Sequence, residues 1–277
     1  MSWHFTEDPE AFRAAVRNHL AAAPARHTAL LTQLDVPGLR GWWAEPGEVR
    51  ATGAFLVSPP GVPLLGVMPD SAARELARAL PGVLSGAAEV TGVRGESGTV
   101  EAFAAAFGQA QGRSWRTTRR MRLYRLGDLT PPDPAPPGRP RLAVRADLPL
   151  AVGWMREFAR DVGEDPDADY TANVAARVAD GRLHLWEADD RPVAMASVSR
   201  TVAGQARVSP VYTPPAHRAR GYGGAVTCAV SRAAVEAGAE QVLLFTDLAN
   251  RTSNSLYQHM GYRPVTDHAA VEFGMQV

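Results

Sequence analysis

The chain has 277 residues, 45 % of them hydrophobic and 21 % charged, with a formal net charge of zero. At about 100–200 residues per domain this length makes one large domain or two ordinary ones, each able to bury a full core. The neutral balance excludes a global pull toward nucleic acid or anionic lipid, and the single cysteine, Cys228, excludes an internal disulfide.

Seven histidines are scattered without ligand spacing and there is no CxxC, so no metal site is expected. The start, "MSWHFTEDPEAF", lacks a basic stretch followed by an apolar core, and no apolar run approaches the roughly 18 residues of a membrane span. The expectation is a soluble, cytoplasmic protein with neither nucleic acid nor membrane as partner.

In chain order, Asp8 and Pro9 make a cap and first-turn start for a helix whose Phe12, Val16, His19 and Leu20 share a face. His19 reads as a packed, hydrogen-bonded core residue. "GWWAE", "VRATGAFLV" and "VPLLGVM" read as strands, and "DSAARELARAL" and "TVEAFAAAFGQAQG" as helices. "RTTRRMRLYRL" is a strand. Six arginines fall between Arg113 and Arg125, but Met121 and Leu123 alternate with Arg120, Arg122 and Tyr124, as on an exposed strand face.

"PPDPAPPGRP", residues 131–140, holds six prolines. Proline fixes φ and lacks an N–H, so this stretch is neither helix nor central strand. It divides the chain into an α/β domain at 1–127, a tether at 128–140 and a second domain at 141–277.

In the second domain, "RLAVRAD" is a strand, and "LPLAVGWMREFARDV" and "ADYTANVAARVADG" are helices. "RLHLWEAD", "RPVAMASVSRTV" and "QARVSPVYT" are strands joined by hairpin-like turns. Pro210 marks the last of these as an edge or a bulge, and two strands splayed there would expose the backbone of Val211 to Thr213. "HRARGYGGA", residues 217–225, opens a long helix. The apolar strand "QVLLFTDLA" follows, then a helix "NRTSNSLYQHMG" capped by Asn250 and stopped by Gly261, then the strand "YRPVTDHAAVEFGM".

Arg218, Ala219, Arg220, Gly221, Tyr222, Gly223, Gly224 and Ala225 suit a phosphate. A helix head has about four unpaired N–H groups and roughly half a positive charge. Glycines let an anion approach the backbone, and arginines add charged donors. No acidic residue occurs from Gly204 to Arg220. Val226 stands where a dinucleotide fingerprint needs its third glycine, and no Lys-Ser/Thr follows as in a Walker loop. Glycine at a helix entry can also be a tight turn and nothing more.

"VYTPPAHRARGYGG" and "NRTSNSLYQHMGY", residues 250–262, together resemble the pyrophosphate loop [RQ]-x-x-G-x-[GA] and the N-x(6)-Y-x(3)-G-[YF] motif of the GNAT superfamily of acyl-CoA-dependent N-acetyltransferases. The resemblance covers about residues 141–277; the tandem layout resembles actinobacterial two-domain members. It implies a GNAT acyltransferase fold, a mixed-sheet α/β class, with a related, degenerate α/β domain before it. It implies acetyl-CoA as co-substrate, a small amine or peptide amine as acceptor, and activity of the EC 2.3.1 type by direct attack in a ternary complex. Val211, Tyr212 and Thr213 would hold the pantetheine arm, residues 218–225 the pyrophosphate, and Asn250 and Ser253 the cofactor near the second helix. Tyr257 would protonate the leaving thiolate, since a tyrosine of pKa near 10 is still protonated at neutral pH.

Many family members carry a glutamate on the strand before the loop, and "QARVSPVYT" has no acid. Asp247, Glu187 and His217 are the candidate bases, with a water relay or a base from the first domain as alternatives. Cys228 reads as a small buried residue. In the first domain, "LLGVMPDSAARE" has no arginine–glycine loop, and Asp70 would put a carboxylate at the phosphate position, so no CoA is expected there. That domain would close the acceptor cleft or make a homodimer contact, and Trp42 and Trp43 would line the cleft or pack in a core. The other function considered is a non-catalytic acyl-CoA-binding or sensor protein.

Overall fold

A computed structural model describes residues 2–48, 50–58, 61–84 and 89–275. Val49, the first residue of "VRATGAFLV", lies outside them. The contacts divide the chain into two compact units, one of Met1–Leu123, Thr246–Asn250 and Pro264–Val277, the other of Tyr124–Phe245 and Arg251–Arg263. The tail strand and the segment 246–250 therefore group with the N-terminal unit, whereas the division at 128–140 assigns them to the second domain.

In the first unit, β1 (Trp3–Thr6) leads to α1 (Pro9–Ala22). The Asp8 side chain accepts from the Glu10 N–H at 2.8 Å and Pro9 opens the first turn, as a capped start requires. Phe12, Val16 and Leu20 recur every four residues and are all buried, each burial contributing about 1.5–3 kcal/mol. After α2 (Thr28–Leu31) come β2 (Leu39–Ala44), β3 (Ala51–Ser58) and β4 (Val62–Leu65), then α3 (Asp70–Val83), β5 (Gly92–Glu96), α4 (Ser97–Gln111) and β6 (Trp115–Leu126). The strand order is β1-β2-β3-β4-β5-β12-β6, where β12 is Tyr262–Phe273. Strand β12 pairs antiparallel with β5 from His268↔Glu96 to Glu272↔Gly92, and its Phe273 ring lies 4.3 Å from that of Phe107 in α4. The basic strand β6 is met by acids: Arg116 pairs with Glu272 at 2.7 Å and Arg122 with Asp267 at 2.6 Å. His19 packs as expected, its Nε2 3.0 Å from the Val67 carbonyl. Trp43 is buried and donates to Glu75.

The second unit starts from irregular backbone at 127–138 and enters β7 (Arg139–Leu142). Next come α5 (Leu148–Asp161), α6 (Thr171–Ala179), β8 (Leu183–Ala188), β9 (Arg191–Val198) and β10 (Gln205–Tyr212). Helix α7 (Tyr222–Glu236), β11 (Gln241–Asp247) and α8 (Arg251–His259) complete it. The strand order is β7-β8-β9-β10-β11, antiparallel except for the parallel β10–β11 pair. Helix α7 packs across β8, β9 and β10, burying Ala225, Val226 and Val230 among Ala194, Ala196 and Val198. Trp154 and Met155 of α5 and Val174 of α6 pack with Leu185, Met195 and Tyr212 in a separate cluster. Gly261 stops α8 at φ 94°, and a Cβ there would overlap the Asp128 carbonyl oxygen.

One expectation is corrected here. "RLAVRAD" is a strand only through Leu142 and closes as a short 3-10 turn at Arg145–Asp147, where the Asp147 carboxylate accepts from the Val144 N–H and pairs with Arg141. The proline-rich stretch, expected as an extended tether, is irregular backbone that also makes contacts. Pro136 lies against Gly221, Pro132 faces Gly224, and the Pro137 carbonyl accepts from Trp186 Nε1 at 2.9 Å. Proline rings are rigid apolar surface, so they pack beside the first turn of α7 at little entropic cost.

Candidate functional site

Strands β10 and β11 pair in parallel over Gln205↔Gln241, Ala206↔Val242 and Arg207↔Leu243. Among the described residues that register ends there. On the other side, β10 follows β9 through Val208↔Val198, then shifts register before Val211↔Ala196 and Tyr212↔Met195. Ser209 and Pro210 form this bulge. Proline has no N–H to give a ladder, and Pro210 falls within the shift in the β9 register, past the last β11 pair. The outcome is the expected splay: the backbone of Val211 to Thr213 runs beyond the last β10–β11 pair.

The loop that follows turns through two left-handed residues, Ala219 at φ 59° and Gly221 at φ 80°. Gly221 caps α7 without a side-chain hydrogen bond, and the first helical bond runs from the Ala225 N–H to the Gly221 carbonyl. The N–H groups of Tyr222, Gly223 and Gly224 have no acceptor among the described residues. The first turn holds no acid. These open donors at the positive end of a 15-residue helix are what an anion site needs. A Cβ at Gly223 would stand 3.3 Å from Thr213 Oγ1, so the hydrogen keeps the loop and strand in close approach. Arg220 is exposed and makes no ion pair among the described residues; it lines a pocket with Arg191, His217 and Tyr222.

Arg218 is engaged within the protein. Its Nε donates to the Thr213 carbonyl at 2.8 Å, its Nη2 reaches Asp161 of α5 at 2.5 Å, and its guanidinium lies 5.8 Å from the Tyr212 ring centroid. It ties the loop to β10 and α5, and it occupies the carbonyl that was expected to face the pantetheine arm.

Tyr257 lies on α8 in the same apolar cluster as Tyr222, Ala225 and Val226. Its ring meets that of Tyr262 edge-on at 6.0 Å, and its hydroxyl makes no hydrogen bond among the described residues. Burial pushes its pKa up to about 12. Ser253 is on the same helix. Asn250 and Asp247 belong to the other compact unit. The Asp247 carboxylate accepts from the Ala249 N–H at 2.8 Å, and its carbonyl from the Asn250 N–H.

Of the other bases considered, Glu187 pairs with Arg141 at 2.8 Å, and Arg141 also binds Asp147. That carboxylate is bound into a salt-bridge network. His217 Nδ1 is buried without a partner. Cys228 is buried, which raises its thiol pKa.

Sequence reasoning missed Glu157. It lies on α5 and its Oε2 accepts from the Tyr212 hydroxyl at 2.7 Å, so a carboxylate reaches the splayed end of β10 from a helix. Burial and the hydrogen bond to Glu157 raise the Tyr212 pKa to about 12. The available signal was Tyr212 itself, because a tyrosine in a half-apolar strand needs a partner for its hydroxyl.

Residues 150–262 match the family described as acetyltransferase (GNAT) family. Solved structures share the fold along the whole chain. An acetyltransferase of the GNAT family from Colwellia psychrerythraea is 13 % identical with a TM-score of 0.62, covering 99 % of both chains. A GCN5-related N-acetyltransferase from Sphaerobacter thermophilus is 16 % identical at 0.62, covering 100 % of this chain and 98 % of its own. A Drosophila protein is 12 % identical at 0.68, covering 100 % and 99 %. At such identities the likeness is one of fold. A search of curated proteins finds no match. No helix among the described residues is long and apolar enough to cross a membrane.

Proposed function

We propose that this protein is an N-acetyltransferase that moves an acetyl group from acetyl-CoA to a primary amine by direct attack in a ternary complex. The observation that carries the reading is the end of β10–β11 pairing at Arg207↔Leu243, followed at once by a loop that leaves three helix-head N–H groups open. The gap accepts an extended arm that hydrogen-bonds as a strand would. The open N–H groups and Arg220 accept its pyrophosphate. Arg218 braces the loop from Asp161. Asn250 and Ser253 are assigned to the cofactor by the family motif.

The residues divide the chemistry as follows. Glu157, through its contact with Tyr212, supplies a carboxylate to take the proton that the attacking amine must lose, with Asp247 as the other candidate base. The amine nitrogen then forms its bond to the thioester carbon as the carbon–sulfur bond breaks. Tyr257 gives the departing sulfur its proton; at a pKa near 12 it is fully protonated at neutral pH. No metal takes part in this scheme.

The test is a thermal shift with acetyl-CoA and with CoA, followed by thiol release with a panel of amines. A ligand at 100 times its Kd stabilises the folded state by about 2.7 kcal/mol, so a clear rise in Tm is expected. No shift at millimolar ligand would leave the glycines as a turn and remove the reading. A shift without turnover on any amine would favour a binding or sensor protein.

A further inference from the structure

Arg177 of α6 reaches the bulge of β10. Its Nη1 donates to the Ser209 carbonyl at 2.5 Å and to Ser197 Oγ of β9, and Ser197 Oγ itself donates to the same carbonyl at 2.9 Å. Nε and Nη2 have no partner among the described residues. The guanidinium therefore presents a planar two-donor edge at the point where β10 parts from β11.

Every acid on the elements packed around it is absent or used. Helix α6, β9 and β10 carry none. On α5, Glu157 accepts from Tyr212 and Asp161 pairs with Arg218. Glu187 of β8 pairs with Arg141. Asp180 lies between Arg182 at 2.8 Å and Arg200 at 2.9 Å. Burial, with Arg182 and Arg207 nearby, lowers the Arg177 pKa to about 10. A half-buried guanidinium is costly without a counter-charge, and it stays a cation at neutral pH all the same.

We infer that the acceptor amine carries a carboxylate and that Arg177 binds it through the Nε–Nη2 edge. The shape of the edge favours a carboxylate, which accepts two parallel N–H bonds in one plane. A group held there lies beside the splay, where the acyl carbon would be presented. This inference rests on the acetyl-transfer reading and narrows its substrate class.

The test compares matched acceptors with saturating acetyl-CoA: L-alanine with L-alaninamide, β-alanine with β-alaninamide, and 4-(aminomethyl)benzoate with benzylamine, alongside the remaining protein amino acids. The expected result is that at least one carboxylate-bearing amine is acetylated, with kcat/KM at least ~10-fold above its uncharged partner. In Arg177→Gln, KM for that acceptor rises ~10-fold or more while KM for acetyl-CoA holds, and Arg177→Lys recovers part of the loss. Equal use of the uncharged partners, or turnover of none of the carboxylates, overturns the inference. The wild-type comparison stands even if the Gln variant folds poorly. Failure of the acetyl-transfer reading itself is separate, because it shows as no thermal shift with acetyl-CoA.

Discussion

The hydroxyl of Tyr212 on β10 donates to Glu157 Oε2 on α5 at 2.7 Å. This brings a carboxylate to the strand that lacks one of its own. Glu157→Gln keeps the shape of the side chain and removes its basicity. The expected outcome is a kcat reduced ~10²–10⁴-fold with an unchanged KM for acetyl-CoA. An unchanged kcat would move the base to Asp247 or to water. Tyr212→Phe should have a smaller effect, since the carboxylate remains.

Tyr257→Phe removes one oxygen from a buried ring. With the hydroxyl making no hydrogen bond among the described residues, stability should change by less than about 1 kcal/mol. Turnover should fall ~10²-fold or more with acetyl-CoA affinity kept. Equal turnover in steady-state assays would sink the acid assignment.

Two glycines separate binding from folding. Gly223→Val crowds Thr213 Oγ1 and the helix head, and should cost CoA affinity, measured calorimetrically, with Tm nearly kept. Gly261→Ala meets both a φ of 94° and the Asp128 carbonyl. It should destabilise by about 1–3 kcal/mol or more and lower Tm sharply. A Gly261→Ala protein as stable as wild type would contradict the packing of α8 against the segment after β6.

His27 is buried against His19, with ring centroids 4.6 Å apart. Burial, then His19 and Arg26, depress its pKa to about 3 from an ordinary 6.5. The unfolded chain thus binds a proton at His27 that the folded chain does not. The neutral ring's stabilising contribution is present above pH 6.5 and is lost as pH falls toward 3. In His27→Gln, ΔG of unfolding measured by urea titration should fall less steeply between pH 6.5 and 4 than in wild type. Parallel slopes would show that His27 does not carry the proton uptake.

Much of this protein is readable locally. The four-residue spacing of Phe12, Val16 and Leu20 sets α1, alternation sets β6, and Gly221 and Gly261 mark where one backbone must turn left-handed. Pro210 announced an edge or a bulge because the missing N–H is a property of the residue itself. The two motifs located the loop and Tyr257 in the same way. What lies across the sequence was not readable: Arg218 held by Asp161, 57 residues away, Tyr212 held by Glu157, 55 away, and Arg177 seated on Ser209, 32 away. The grouping of 246–250 and 264–277 with the N-terminal unit belongs to that class too. Periodicity and turn chemistry act within a few residues, so the sequence by itself determined the elements and the loop. Which charges meet depends on how α5 and α6 dock onto the sheet, so only the tertiary structure decided that Arg218 braces and that Glu157 and Arg177 face the bulged strand.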